Sequence, residues 1–66
     1  MKPRQVLRRL RRAGVEVDTK RGKGGHYLLT YRDRRTTLPV HGDTDLGPNF
    51  VRRICKQLGI DPNSVL

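Results

Sequence analysis

Apolar residues at helical spacing predict a helix near the start of the chain. The apolar positions recur every three or four residues, at Val6, Leu7, Leu10 and Ala13. Pro3 suits the first turn of a helix, where its missing N–H removes no hydrogen bond, and Gly14 suits the position just after a helix end. We therefore predict a helix over residues 3–13.

A second apolar stripe predicts a helix near the end of the chain. Its members follow the spacing i, i+1, i+4, i+5 and i+8, at Phe50, Val51, Ile54, Cys55 and Leu58. Pro48 fits the first helical position, and Gly59 ends the stripe, with Ile60 placed for the hydrophobic contact that often accompanies a glycine cap. Asp61 and Pro62 then predict one last short turn, with Asp61 as its cap.

Between the helices, alternating and β-branched residues predict three strands. Val15 and Val17 alternate with acids, and the run over residues 26–31 is rich in β-forming residues. Alternation in this run places Tyr27, Leu29 and Tyr31 on the core face, and His26, at the strand's start, on the opposite face. Residues 32–35 are predicted to turn, although they lack the glycine or asparagine of a strong hairpin signal.

A third strand is predicted over residues 36–40, where Pro39 indicates an edge strand or a strand end. Residues 42–47 are predicted to form a loop. The element order is then α-β-β-β-α, an α+β fold with a three-stranded antiparallel sheet and two helices packed on one face. The 66 residues are expected to form one domain, residues 1–66. The other face of the sheet stays open, as antiparallel sheets allow.

Composition narrows the classes of protein that remain. One cysteine cannot form an internal disulfide, and no Cys/His pair has the spacing of a zinc site. Apolar runs are too short for a membrane span or a secretory signal, so a soluble, cytoplasmic protein is expected. Fifteen Lys and Arg against six Asp and Glu give a net charge of +9, which predicts a partner rich in negative charge, either nucleic acid or an acidic protein.

The basic residues are clustered. Six lie within residues 1–12, and a glycine-rich segment over residues 20–25 carries three more, at Lys20, Arg21 and Lys23. Arginine outnumbers lysine, 11 to 4, which suits forked contacts with phosphate. The alternative is a solvated basic face that only keeps a small protein in solution.

The ordered set of short motifs resembles one protein family. The element order is that of the double-stranded-RNA-binding-domain fold. Within it, four stretches in the right order are similar to motifs of the HicA toxins: Leu10 to Gly14, Gly24-Gly25-His26, Leu38-Pro39-Val40-His41, and Ile54-Cys55-Lys56-Gln57-Leu58-Gly59-Ile60. The resemblance covers nearly the whole chain.

This resemblance implies the toxin of a type II toxin–antitoxin pair, an RNA endonuclease (mRNA interferase) held inactive by a HicB-type antitoxin. The family's catalytic histidine carries over to His26, and its flanking glycine to Gly24. Two positions depart from the family pattern, since Gly25 replaces the usual serine and Tyr27 replaces a frequent second polar residue. The missing serine hydroxyl removes one possible phosphate contact.

The chemistry expected of such an enzyme is proton transfer at a ribose 2′-OH beside a bound phosphate. Histidine suits this work because its ordinary pKa of about 6.5 keeps both protonation states accessible near neutrality. We expect His26 to carry out one or both proton transfers, which leave a cyclic phosphate. The basic side chains and glycine N–H groups of the 20–25 segment are expected to hold the phosphate, from Lys20, Arg21, Lys23, Gly24 and Gly25.

Some roles stay open at this point. His41 is expected to be structural or to contact phosphate, with proton transfer as the alternative. Tyr27 and Tyr31 fit the sheet core better than a base-stacking platform. Cys55 is expected to be a buried, inert thiol. No Asp/Glu pair suits magnesium, so no metal or small-molecule cofactor is expected and cleavage should survive EDTA.

Two other functions compete with the nuclease. One is a non-catalytic RNA-binding module of the same fold. The other is a small DNA-binding or ribosome-associated protein, which is disfavoured because the chain lacks the tight turn of a helix-turn-helix.

Overall fold

In the computed structural model, which describes residues 1–19, 26–39 and 45–66, the elements follow the predicted order. They are helix α1 (Pro3–Arg12), strands β1 (Glu16–Asp18), β2 (His26–Tyr31) and β3 (Arg34–Pro39), helix α2 (Pro48–Leu58) and a final 3₁₀ turn (Pro62–Ser64). The predicted α-β-β-β-α fold is confirmed. Neither helix is long and apolar enough to cross a membrane.

The sheet is antiparallel, in the order β1-β2-β3, so β2 is central. On one side Val17 pairs with Leu29 and Asp18 with Leu28; on the other, Tyr27 pairs with Leu38. Because neighbouring residues of a strand point to opposite faces, this register assigns every side chain of the sheet to one of two faces.

The core lies between one face of the sheet and the two helices. Leu29 of β2 and Leu38 of β3 share that face and are fully buried, together with Val6 and Leu10 of α1. The fully buried residues of α2 and the C-terminal segment complete the cluster, at Val51, Cys55, Leu58 and Val65. Helix α1 packs against β1 and α2 against β3, so both helices cover the same face. The partly buried Tyr27 and Tyr31 pack against this core, as predicted.

Both helices end in the same glycine cap. After α1 the N–H of Val15 bonds to the Leu10 carbonyl at 3.0 Å, and after α2 the N–H of Ile60 bonds to the Cys55 carbonyl at 2.9 Å. Each cap has a glycine with positive φ, 99° at Gly14 and 75° at Gly59. Since Val15 and Ile60 are buried, each cap turns the next apolar residue into the core.

Long-range hydrogen bonds hold the ends of the chain. The guanidinium of Arg9 donates to the Val65 carbonyl at 2.9 Å, which fixes the last turn against α1. The Leu46 N–H donates to the Met1 carbonyl at 2.7 Å, which ties the segment before α2 to the N-terminal residue. Asp61 caps the 3₁₀ turn, accepting from the Asn63 N–H at 3.0 Å, as predicted.

Three element ends differ from the prediction. Helix α1 ends at Arg12 and β1 begins at Glu16, because the glycine cap uses residues 13–15. Strand β3 begins at Arg34, two residues earlier than predicted, because Arg32 has a φ of 56° and turns the chain within two residues. The Arg32 guanidinium lies over the Tyr31 ring, 5.3 Å from its centroid. Pro39 ends an edge strand, as predicted.

Gly59→Ala is expected to lower the free energy of unfolding by about 1–2 kcal/mol, because an L-residue is strained at a φ of 75°. An added Cβ would also lie 3.4 Å from Nε of Arg34. Urea titration measures the change.

Gly47→Ala is the matched control. Gly47 has a φ of −69°, and a Cβ added there meets nothing within 4 Å. The lower chain entropy of alanine and its weaker preference for the N-cap roughly offset each other, so stability should stay within about 1 kcal/mol. Equal losses in the two variants would contradict this account of the Gly59 cap.

Candidate functional site

The candidate site lies on the sheet face that the helices leave uncovered, here called the open face. The register places on it the sheet residues whose side chains point away from the core. They are Glu16 and Asp18 of β1, His26, Leu28 and Thr30 of β2, and Arg35 and Thr37 of β3. All of them are partly or fully exposed. Titratable, hydroxyl and cationic side chains are therefore displayed together on a rigid sheet.

His26 is the first residue of the central strand β2. It pairs with Pro39, and alternation places its side chain on the open face, opposite the buried Leu29. The residue is neither buried nor fully exposed. The prediction that His26 occupies the face opposite the core is confirmed, and the imidazole is within reach of a ligand on the open face.

A shallow groove of about 730 Å³ runs over the open face. Leu28 and Thr30 of β2 line it. Two cations, Arg35 of β3 and Arg11 of α1, line it as well, together with the carboxylates of β1. Leu28 is the next residue after His26 on this face, about 7 Å along the strand at about 3.4 Å per residue. The groove thus begins one side chain away from the imidazole.

Charge divides the open face across the sheet. The edge strand β1 carries Glu16 and Asp18, whereas the opposite edge strand carries Arg35. Glu16 pairs with Thr30 of β2, which in turn pairs with Arg35, so one row of the sheet runs from acid through hydroxyl to guanidinium. A polyanion laid in this groove would be attracted toward the β3 side and repelled from β1.

The other predicted site residues lie outside the described residues. They are Lys20, Arg21, Lys23, Gly24, Gly25 and His41. The two segments that contain them join described residues on β1, β2, β3 and α2, and the first leads directly into His26. Their contribution to phosphate binding stays a prediction.

Sequence reasoning missed the charged residues that line the groove. It predicts a general cluster of basic residues over 1–12, which includes Arg11, a turn for Arg35, and an alternating strand for Glu16 and Asp18. Arg35 belongs to β3 and lines the groove with Arg11. Whether Arg35 and Asp18 share a face with His26 depends on the register between strands, and strand lengths alone do not determine that register. The approach of Arg11 to the groove depends on how α1 packs against the sheet.

Cys55 takes no part in the open face. Its side chain is fully buried among core residues of α2, as predicted. Burial raises the pKa of the Cys55 thiol, and the nearby Asp61 carboxylate raises it further. The thiol is therefore kept protonated and unreactive near neutral pH. Among the described residues, no three His, Cys, Asp or Glu side chains are grouped to hold a metal ion.

Comparisons with known proteins agree on one family. Residues 3–60 match the family model described as the HicA toxin of bacterial toxin–antitoxin systems. The chain is 37% identical over 60 residues to the probable mRNA interferase HicA of Pseudomonas fluorescens (strain Pf0-1), an alignment that covers 91% of this chain and 97% of that protein. No solved structure gives a significant match.

Proposed function

The chain belongs to the HicA toxin family of bacterial toxin–antitoxin systems, and from this premise we propose that it is an endoribonuclease that cuts mRNA with His26. The observation that supports this role most directly is the position of His26. It is a partly exposed imidazole at the start of the central strand, on the open face and beside a groove that contains two arginines. Residues 1–66 act as one toxin domain in the cytoplasm, where mRNA is found.

The proposed reaction is transesterification within the RNA. His26 removes the proton of a ribose 2′-OH, and the 2′-oxygen attacks the adjacent phosphorus as the bond to the 5′-oxygen breaks. A proton is delivered to that 5′-oxygen, either from His26 or from a second group. The products are a 2′,3′-cyclic phosphate and a free 5′-OH, so no water is consumed in this step.

Substrate binding is proposed to combine two sets of cations. Arg11 and Arg35 attract the RNA backbone into the groove. Lys20, Arg21 and Lys23, with the N–H groups of Gly24 and Gly25, hold the phosphate that is cut, and His41 contributes a further phosphate contact. With a net charge of +9, binding should weaken steeply as salt rises.

The toxin family implies an antitoxin partner, and we propose that this partner is of the HicB type and covers the open face. A protein with a charge of +9 attracts an acidic domain over a distance, which speeds the encounter. An antitoxin seated on the open face would bury His26 and the groove together. It would thereby block both the proton transfer and RNA binding.

The experiment that tests this function uses the purified protein and a labelled oligoribonucleotide. Cleavage is expected to proceed at an unchanged rate in EDTA, because the proposed steps use only groups of the protein and of the RNA, and the fragments should carry cyclic phosphate and 5′-OH ends. Phosphatase and kinase treatment of the fragments identifies those ends. Loss of cleavage in EDTA that magnesium restores would contradict the proposed chemistry. RNA that is bound but never cut would favour the binding module.

A further inference from the structure

We infer that Asp18 is a positioning residue for His26, an inference that rests on the proposed function. In the antiparallel pair β1–β2, Asp18 lies directly opposite Leu28, on the open face. His26 is two residues before Leu28 and lies on the same face, so it is the diagonal neighbour of Asp18. Diagonal neighbours lie about 7–8 Å apart, which is within reach of longer side chains. Both residues are half-buried.

A carboxylate in this position can orient an imidazole. It accepts the N–H of one ring nitrogen, which fixes the tautomer and the ring orientation and leaves the second nitrogen for the substrate. Asp18 does not touch the RNA in this arrangement. Its role is to keep the imidazole of His26 aimed at the ribose hydroxyl.

The negative charge of Asp18 argues against a role in binding RNA. The chain contains six acids against fifteen basic residues, and one of these acids lies in the row of the sheet next to His26. An acid there repels phosphate, so removing it should strengthen RNA binding. If Asp18 positions His26, however, its removal should lower the rate of cleavage. Binding and turnover should therefore change in opposite directions when the carboxylate is removed.

Glu16 supplies a matched control on the same strand. It lies on the same face and carries the same charge, but its partner on β2 is Thr30. Thr30 is about 14 Å along β2 from His26, at about 3.4 Å per residue, too far for Glu16 to contact the imidazole. Asp18→Asn and Glu16→Gln thus remove one negative charge each from the same groove, and only the first can disturb His26.

The test is single-turnover RNA cleavage by the full chain carrying Asp18→Asn, Glu16→Gln or Asp18→Glu. Both amide variants should bind RNA at least as tightly as the wild type. We expect Asp18→Asn to cut bound RNA about 10- to 100-fold more slowly than Glu16→Gln does, and Asp18→Glu to regain part of the loss. Nitrogen-15 NMR of the imidazole should show a single tautomer in the wild type and a tautomer mixture in Asp18→Asn.

Equal cleavage rates for Asp18→Asn and Glu16→Gln, or an unchanged tautomer in Asp18→Asn, would overturn the inference. The NMR spectrum reports on folded molecules, so a general loss of stability would not imitate the expected result. If the proposed function itself is wrong, a different result is expected, because His26→Ala would then cut RNA at the same rate as the wild type.

Discussion

His26→Ala is expected to abolish growth arrest in cells and to slow RNA cleavage by the purified protein about 10²- to 10⁴-fold. This range is the usual contribution of a side chain that transfers a proton in the transition state. The partly exposed position of His26 on the open face means that its removal leaves no cavity in the core. RNA binding should persist, because the cations of the groove remain.

Thr30→Ala is the control for His26→Ala. Thr30 belongs to the same strand and the same face and lines the groove, but it has no group that transfers protons near neutral pH. Its variant should cut RNA within a few-fold of the wild-type rate. If both variants arrest growth and cut RNA equally well, His26 is not the catalytic group.

Leu29→Ala is expected to unfold much of the protein at 37 °C. Leu29 is fully buried at the centre of the middle strand, and truncating such a leucine typically lowers the free energy of unfolding by about 2–5 kcal/mol. A chain of 66 residues has about 3–10 kcal/mol in total, at about 0.05–0.15 kcal/mol per residue. The expected loss is therefore a large part of the whole stability.

Leu28→Ala is the matched control for the core. Leu28 is the neighbouring residue on β2, but it lies on the open face and is only partly buried. Its truncation should lower the free energy of unfolding by less than half as much as that of Leu29. Urea titration followed by circular dichroism measures both changes. Equal losses would mean that the core does not lie on the helix side of the sheet.

Periodicity along the chain predicted the helices and the two faces of β2. The apolar stripes ending at Gly14 and Gly59 are long enough for a helical period to be clear, and both glycines cap their helices. The alternation in residues 26–31 placed His26 opposite the core because a strand has a strict period of two. These features depend only on local spacing, which the sequence contains.

Features that depend on pairing between strands were not predicted. Arg35 was placed in a turn because no glycine or asparagine marks the tight connection that Arg32 makes with its positive φ. The adjacency of Asp18 and His26 follows from the β1–β2 register, which depends on how the strands pack together. The contributions of Asp18 and Arg35 to the candidate site thus depend on tertiary structure, although the central histidine is evident from the sequence.

The most direct test of the central claim compares two oligonucleotides that differ at one ribose. One is RNA throughout, and the other lacks the 2′-OH at the position that the wild-type protein cuts. Single-turnover reactions with excess protein separate cutting from binding. We expect equal binding of both, cleavage of the first by the wild type at least 100-fold faster than by His26→Ala, and no cleavage of the second by either. Cutting of the 2′-deoxy position by the wild type, or of the RNA by His26→Ala at the wild-type rate, would contradict a proton transfer from the 2′-OH by His26.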